Sequence, residues 1–234
     1  MRAAIMQPYF LPYLGYFQLM KSVDIFILAD EYQYTNKGWI NRNRAILNNK
    51  LMTFTIPVSS DGVFISDKKI HNQKSIKSLH RKIKQSYCDS PNSQSVNLVL
   101  EDVFQSEQEF LFPFIDRSIA SICELLAINT QMVRLSELDN NKNLKGVERV
   151  IDIVKVLGAD TYLNPEGGRE LYKREEFNRN HLELEFLEHI PKPYPQLIPG
   201  FIDRLSIIDL LYMNNNTEAL HVQLNSYQTN KSEE

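Results

Sequence analysis

The 234-residue chain is poor in cysteine, with two, and holds one tryptophan and eight glycines. Cys88 and Cys123 are far apart and belong to no Cys-x-x-Cys or Cys/His cluster. A disulfide framework and a structural zinc site therefore lack support, and both side chains are expected as free thiols. No Gly-x-Ser-x-Gly, Walker loop or His-Glu-x-x-His occurs, so serine-hydrolase, P-loop and zincin mechanisms lack their usual signatures. No apolar run approaches the ~20 residues of a spanning helix, and the opening lacks a basic stretch followed by an apolar one. The expectation is a cytoplasmic protein without a transmembrane segment. Net charge is also small, −3 from 26 Lys and Arg against 29 Asp and Glu, which argues against general nucleic-acid binding. A small anionic or activated-sugar ligand fits better than a long polyanion.

What remains has ordinary globular proportions, 43% hydrophobic and 24% charged. Length favours one large α/β domain over residues 1–213, with a frayed tail over 214–234 where apolar density falls. Charge is uneven: Lys68 to Lys84 holds seven Lys and Arg and no acid, whereas Glu101 to Asp139 holds eight acids against Arg117 and Arg134.

The first forty-odd residues are the most informative. Ala3 to Met6 is an apolar run that stops at Gln7-Pro8, and an aromatic, proline-punctuated segment then acquires helical spacing through Lys21. Asp24 to Ala29 reads as a second strand. This outlines a βαβ unit, and hence an α/β fold with a Rossmann-like, mainly parallel sheet. Both strand ends, Gln7-Pro8 and Asp30 to Gln33, then lie on the edge where open α/β sheets bind ligands. Trp39 to Arg44 follows, with the only Trp, two Arg and two Asn.

Gln7-Pro-Tyr-Phe-Leu-Pro-Tyr-Leu-Gly-Tyr-Phe17, Asp30-Glu-Tyr-Gln-Tyr34 and Gly38-Trp-Ile-Asn-Arg-Asn-Arg44 together resemble the amino-terminal signature of the WbqC-like family. Asp160 to Gly168, Tyr194-Pro195-Gln196 and Leu205 to Leu211 agree in the same order. The resemblance implies a setting in bacterial O-antigen and other surface-polysaccharide synthesis. It also implies a transferase of glycine or another aminoacyl group, with no metal or tightly bound cofactor indicated. The acyl donor would be a carrier-protein thioester, an acyl-adenylate or a charged tRNA. The opening also resembles the strand-loop-helix of HIGH-motif nucleotidyltransferases, but Gly15-Tyr16 stands where that motif has Gly-His. The alternatives are thus a nucleotidyltransferase-like enzyme lacking that histidine, or a non-catalytic sugar- or nucleotide-binding protein of polysaccharide assembly.

Further along, Lys50 to Val58 reads as a strand after an Asn48-Asn49 turn, and Gln73 to Tyr87 as an amphipathic helix whose basic residues lie mostly off its apolar stripe. Helices are expected over Ser95 to Phe104, from Pro113, over Leu144 to Leu157 before a Gly158 cap, and over Ser206 to Met213. Thr130 to Leu135, Asp160 to Asn164 and Leu182 to Glu188 read as strands, the last exposed on one face. Ser106 to Glu109 and Ser206 to Asp209 both have capping-box spacing.

The expected site is a cleft at the carboxyl edge of the sheet. Gln7, Tyr9, Tyr16, Gln33, Trp39, Asn41 and Arg44 are its substrate-binding candidates, because guanidinium forks hold phosphate or carboxylate, amides read hydroxyls and aromatic planes stack on rings. Gly167 and Gly168 would approach as a small cradling turn, and Tyr194 and Gln196 as a lid over Pro191 to Gly200. The catalytic candidates are His80 or Asp30 as base and Arg42 as stabiliser of developing negative charge. If Asn41 and Asn43 alternate on a strand, Arg42 and Arg44 share its other face.

Overall fold

The computed structural model of the chain describes residues 1–231. β1 (Arg2–Met6), α1 (Leu14–Lys21) and β2 (Ile25–Leu28) form the expected right-order unit, with β1 and β2 parallel and Ala3 opposite Ile25. Alternation sorts their side chains to two cores: Ala4, Phe26 and Leu28 join one, and Ala3, Ile5, Ile25 and Ile27 the other. Both faces are covered, which is why Ile25 to Leu28 is apolar without a break. β5 (Gln131–Arg134), β6 (Thr161–Pro165), β7 (Glu183–His189) and β8 (Tyr227–Lys231) complete a sheet of order β5-β2-β1-β6-β7-β8, parallel except for β8. The fold is α/β and Rossmann-like. No helix among the described residues is long and apolar enough to cross a membrane.

A hairpin, β3 (Arg42–Leu47) with β4 (Lys50–Thr55), stands apart from this sheet. Asn48 and Asn49 turn it with φ of 53° and 56°, the left-handed pair that a two-residue hairpin loop requires. α2 (Gln73–Ser86), α3 (Ser93–Gln105) and α4 (Leu111–Leu125) pack beside the hairpin, and Ile76, Ile83, Leu100 and Ile119 share one core cluster with Phe10 and Phe17. α5 (Gly146–Val156) covers the opposite sheet face with Val150, Ile153 and Val154, and ends at Gly158, whose φ is +69°. The short α6 (Arg174–Asn178) precedes β7.

Three expectations give way. β7 is buried on both faces, because Leu187 packs into one core cluster and Leu184 and Phe186 into the other. The chain from Asn214 does not fray through Lys231: it forms α8 (Thr217–Leu224) and β8 after α7 (Ile207–Met213), and the rest of the tail lies outside the described residues. Buried Gln18 is the reason, since its amide donates to the Gln223 and Ser226 carbonyls at 2.7 and 3.0 Å and ties this segment to α1. Neither capping box forms. Ser106 bonds back to the Val103 carbonyl while Glu109 pairs with Lys69, and Ser206 donates to the Leu11 carbonyl.

Candidate functional site

The aromatic loop after β1 is fastened from two sides. Asn43, buried on β3, donates to the Leu11 carbonyl at 2.6 Å, and Ser206 Oγ donates to the same oxygen at 2.8 Å. The Ile207 N–H reaches the Pro12 carbonyl at 2.8 Å, and Leu11 is held at φ 47°. Tyr13 then folds over the start of α1. A Cβ on Gly15 would come within 2.5 Å of the Tyr13 ring, so this glycine is needed for close approach.

These restraints shape a pocket of about 310 Å³ lined by Tyr9, Tyr13, Trp39, Asn43, Arg44 and Arg204. Trp39 is 49% exposed, and the Arg44 guanidinium lies 5.7 Å from its ring centre. The strand alternation is as the sequence suggested: Asn41 and Asn43 are buried, while Arg42 and Arg44 are half-buried on the other face. Asn41 is occupied structurally, donating to the Ile56 carbonyl at 2.7 Å. Arg42 donates to the Asn36 carbonyl, and its Nε is buried without a partner.

A sequence model of the WbqC-like protein family matches residues 7–222, which spans every element that builds this pocket. The chain belongs to the WbqC-like family. An uncharacterized protein of Mycobacterium tuberculosis, Rv1507c, is similar to it, 28% identical over 218 residues that cover 90% of this chain and 93% of the relative. No solved structure matches significantly.

In this WbqC-like chain the other expected residues are dispersed. Asp30 is buried, with its carboxylate accepting the Ser136 N–H at 3.0 Å and the Ser136 hydroxyl at 2.6 Å; it caps the turn after β5. His80 stacks on Phe104 of α3, ring centres 4.6 Å apart, and burial lowers its pKa. Among the described residues no hydrogen bond, ion pair or ring contact joins Asp30, Arg42 and His80. Tyr16 is buried beneath Tyr9, edge to face at 5.2 Å, with an unpartnered hydroxyl and a pKa raised well above the usual value by burial. Gln7 is half-buried at the end of β1, and Gln33 is exposed, paired through its backbone with Phe64. Gly167 and Gly168 lie in a 3-10 turn after β6. A Cβ on Gly168 would overlap the Asn164 amide, so packing accounts for that glycine.

Tyr194 and Gln196 belong to a different construction. Asp209, fully buried on α7, accepts from Tyr87 Oη at 2.7 Å, Tyr194 Oη at 2.9 Å and Gln196 Nε2 at 3.1 Å. Burial raises the Asp209 pKa, while these three donors pull it back. Gln196 also clasps Ile202 through its N–H and its carbonyl. The proline-rich segment is thus an anchored loop that carries Arg204 to the pocket, at φ 55°.

His189 ends β7 behind Tyr13, in a water-sized void of about 20 Å³ that Tyr13 and Arg204 also line. Because Gln18 Nε2 donates to two carbonyls, its Oε1 must accept from His189 Nδ1 at 2.8 Å. Nδ1 therefore carries a proton, and Nε2 faces Asp203 Oδ1 at 3.2 Å. Among the described residues no group of three His, Cys, Asp or Glu has the arrangement to hold a metal. Sequence reasoning missed Arg204, His189, Asp203 and the Asp209 hub. The only local sign was an Asp203-Arg204 pair at the exit of a Pro- and Gly-rich loop.

Proposed function

We propose that this WbqC-like protein is a cytoplasmic transferase that modifies a sugar intermediate of surface-polysaccharide synthesis, with glycine or another aminoacyl group as the transferred unit. The observation that carries the reading is the pocket, in which aromatic walls from Tyr9, Tyr13 and Trp39 meet the guanidinium groups of Arg44 and Arg204. Aromatic faces suit the C–H face of a sugar, and guanidinium forks suit its anionic activating group. In the reaction the amine of an amino sugar attacks the acyl carbonyl, an amide C–N bond forms, and the bond to the donor's leaving group breaks as the amine loses its proton. Such a reaction is served by positioning and by donors for the developing oxyanion. In this reading Tyr9, Trp39 and Arg44 hold the sugar, and Arg42, which donates to the Asn36 carbonyl, lies outside the pocket lining. Asp30 and His80 take no part, being committed to Ser136 and Phe104.

The test is to delete the gene and determine the chemical structure of the cell-surface glycan. Loss of an amino-acid substituent from an otherwise intact repeat is expected. An unchanged glycan, under conditions where the gene is expressed, rejects the reading.

A further inference from the structure

We infer that the pocket takes the diphosphate of a diphosphate-linked sugar, clamped between Arg44 and Arg204. The inference rests on the reading of the protein as one acting on an activated sugar, and it specifies the form of the activation. Arg44 forms no ion pair among the described residues, and its guanidinium lies against Trp39, half removed from water. Arg204 has one acidic neighbour, Asp203, with Nε 3.6 Å from Oδ2, beyond a good hydrogen bond. The other oxygen of Asp203 faces His189 Nε2 at 3.2 Å. Asp203 thus divides its two oxygens between His189 and Arg204, and the 68% exposed Arg204 side chain is left open to a ligand.

One guanidinium fork matches a carboxylate or one edge of a phosphate, and two forks carried into one pocket by segments far apart in sequence suit an anion that offers edges on two centres. A diphosphate supplies them. A volume of about 310 Å³ also admits a diphosphate and part of a sugar, but no long polyanion. Arg204 holds left-handed backbone geometry, φ 55°, which the clasp of Gln196 on Ile202 and the bond of Ser206 to Leu11 maintain on either side of it.

Trp39, the only tryptophan, lines this pocket and reports its occupancy. Trp39 emission and titration calorimetry would follow inorganic pyrophosphate, UDP-N-acetylglucosamine, inorganic phosphate and free N-acetylglucosamine. Saturable binding of the first two is expected, with phosphate at least about tenfold weaker and the free sugar silent. Arg44→Gln and Arg204→Gln should each weaken pyrophosphate by about tenfold or more, whereas Lys74→Gln/Arg81→Gln on the exposed face of α2 should change nothing. If Arg44→Gln does not fold, Arg204→Gln, on an exposed loop side chain, decides alone. No saturable pyrophosphate binding, binding indifferent to the pocket arginines, equal loss in the α2 variant, or phosphate binding as tight as pyrophosphate each overturns the inference. An unchanged glycan with pyrophosphate binding intact would reject aminoacyl transfer and leave this inference standing.

Discussion

At Asp209, two tyrosine hydroxyls and a glutamine amide converge on one buried carboxylate; a short way along the same segment, Arg204 joins Arg44 of β3 in lining a pocket. Both constructions depend on the stretch from Tyr194 to Asp209, and both assemble polar groups from distant parts of the chain. They differ in closure. A buried polar group with all its partners is a brace, costly to disturb and silent toward solution. Accessible cations beside aromatic rings, with at most a loose contact to an acid, are where a ligand gains something.

The largest effect expected from this contrast is at the brace. Asp209→Ala leaves Tyr87, Tyr194 and Gln196 donors without their acceptor and should cost about 3 kcal/mol or more in urea unfolding. A loss below 1 kcal/mol would mean that water replaces the carboxylate, and the hub would then not be sealed. Next comes Gly15→Ala, which pushes against the Tyr13 ring that forms a wall of both the pocket and the void beside His189. It should destabilise by about 1–3 kcal/mol, as overpacking does, and shift Trp39 emission as the pocket deforms. Unaltered emission would show that Tyr13 moves without disturbing the pocket.

His80 sharpens the comparison, because its Nε2 is buried and unpartnered while its ring is stacked on Phe104. Its pKa is lowered chiefly by burial, with Glu101 raising it and Lys84 lowering it further. The unfolded state therefore takes up the proton first. Stability that depends on neutral His80 is present above about pH 6.5 and is lost as pH falls from there toward the lower folded value. His80→Phe should flatten that acid limb in urea titrations between pH 7 and 5 without changing pyrophosphate binding. A slope identical to the parent's would remove His80 as its source. The smallest stability change is expected for Arg204→Gln, within about 0.5 kcal/mol, because its exposed side chain has only a loose 3.6 Å contact with Asp203. A large loss of stability there would make Arg204 a brace like Asp209 and erase the contrast.

Much of the scaffold was legible because it obeys local rules. The continuous apolar run of β2, the spacing of Ile76, Ile83 and Tyr87 and the glycine at Gly158 each report a period or a backbone conformation that neighbours in sequence impose. Of the site, Tyr9, Trp39 and Arg44 were legible for the same reason, since they crowd into one chemically unusual stretch. Arg204 was not, because nothing within its own loop says that Ser206 bonds to Leu11 and brings that loop to the pocket. Asp30 and His80 were legible as chemistry and illegible as geometry: the groups that occupy them, Ser136 and Phe104, arrive from other elements. The tail was misjudged on composition, since its order comes from a glutamine on α1 and from pairing with β7. Sequence pattern alone set the order of the main elements through α7, the unbroken apolar character of β2 and the aromatic, arginine-rich character of one pocket wall. Which charges are closed off by partners and which face the pocket was settled by packing, because partners that chain separation hides come within hydrogen-bond reach only in the folded chain.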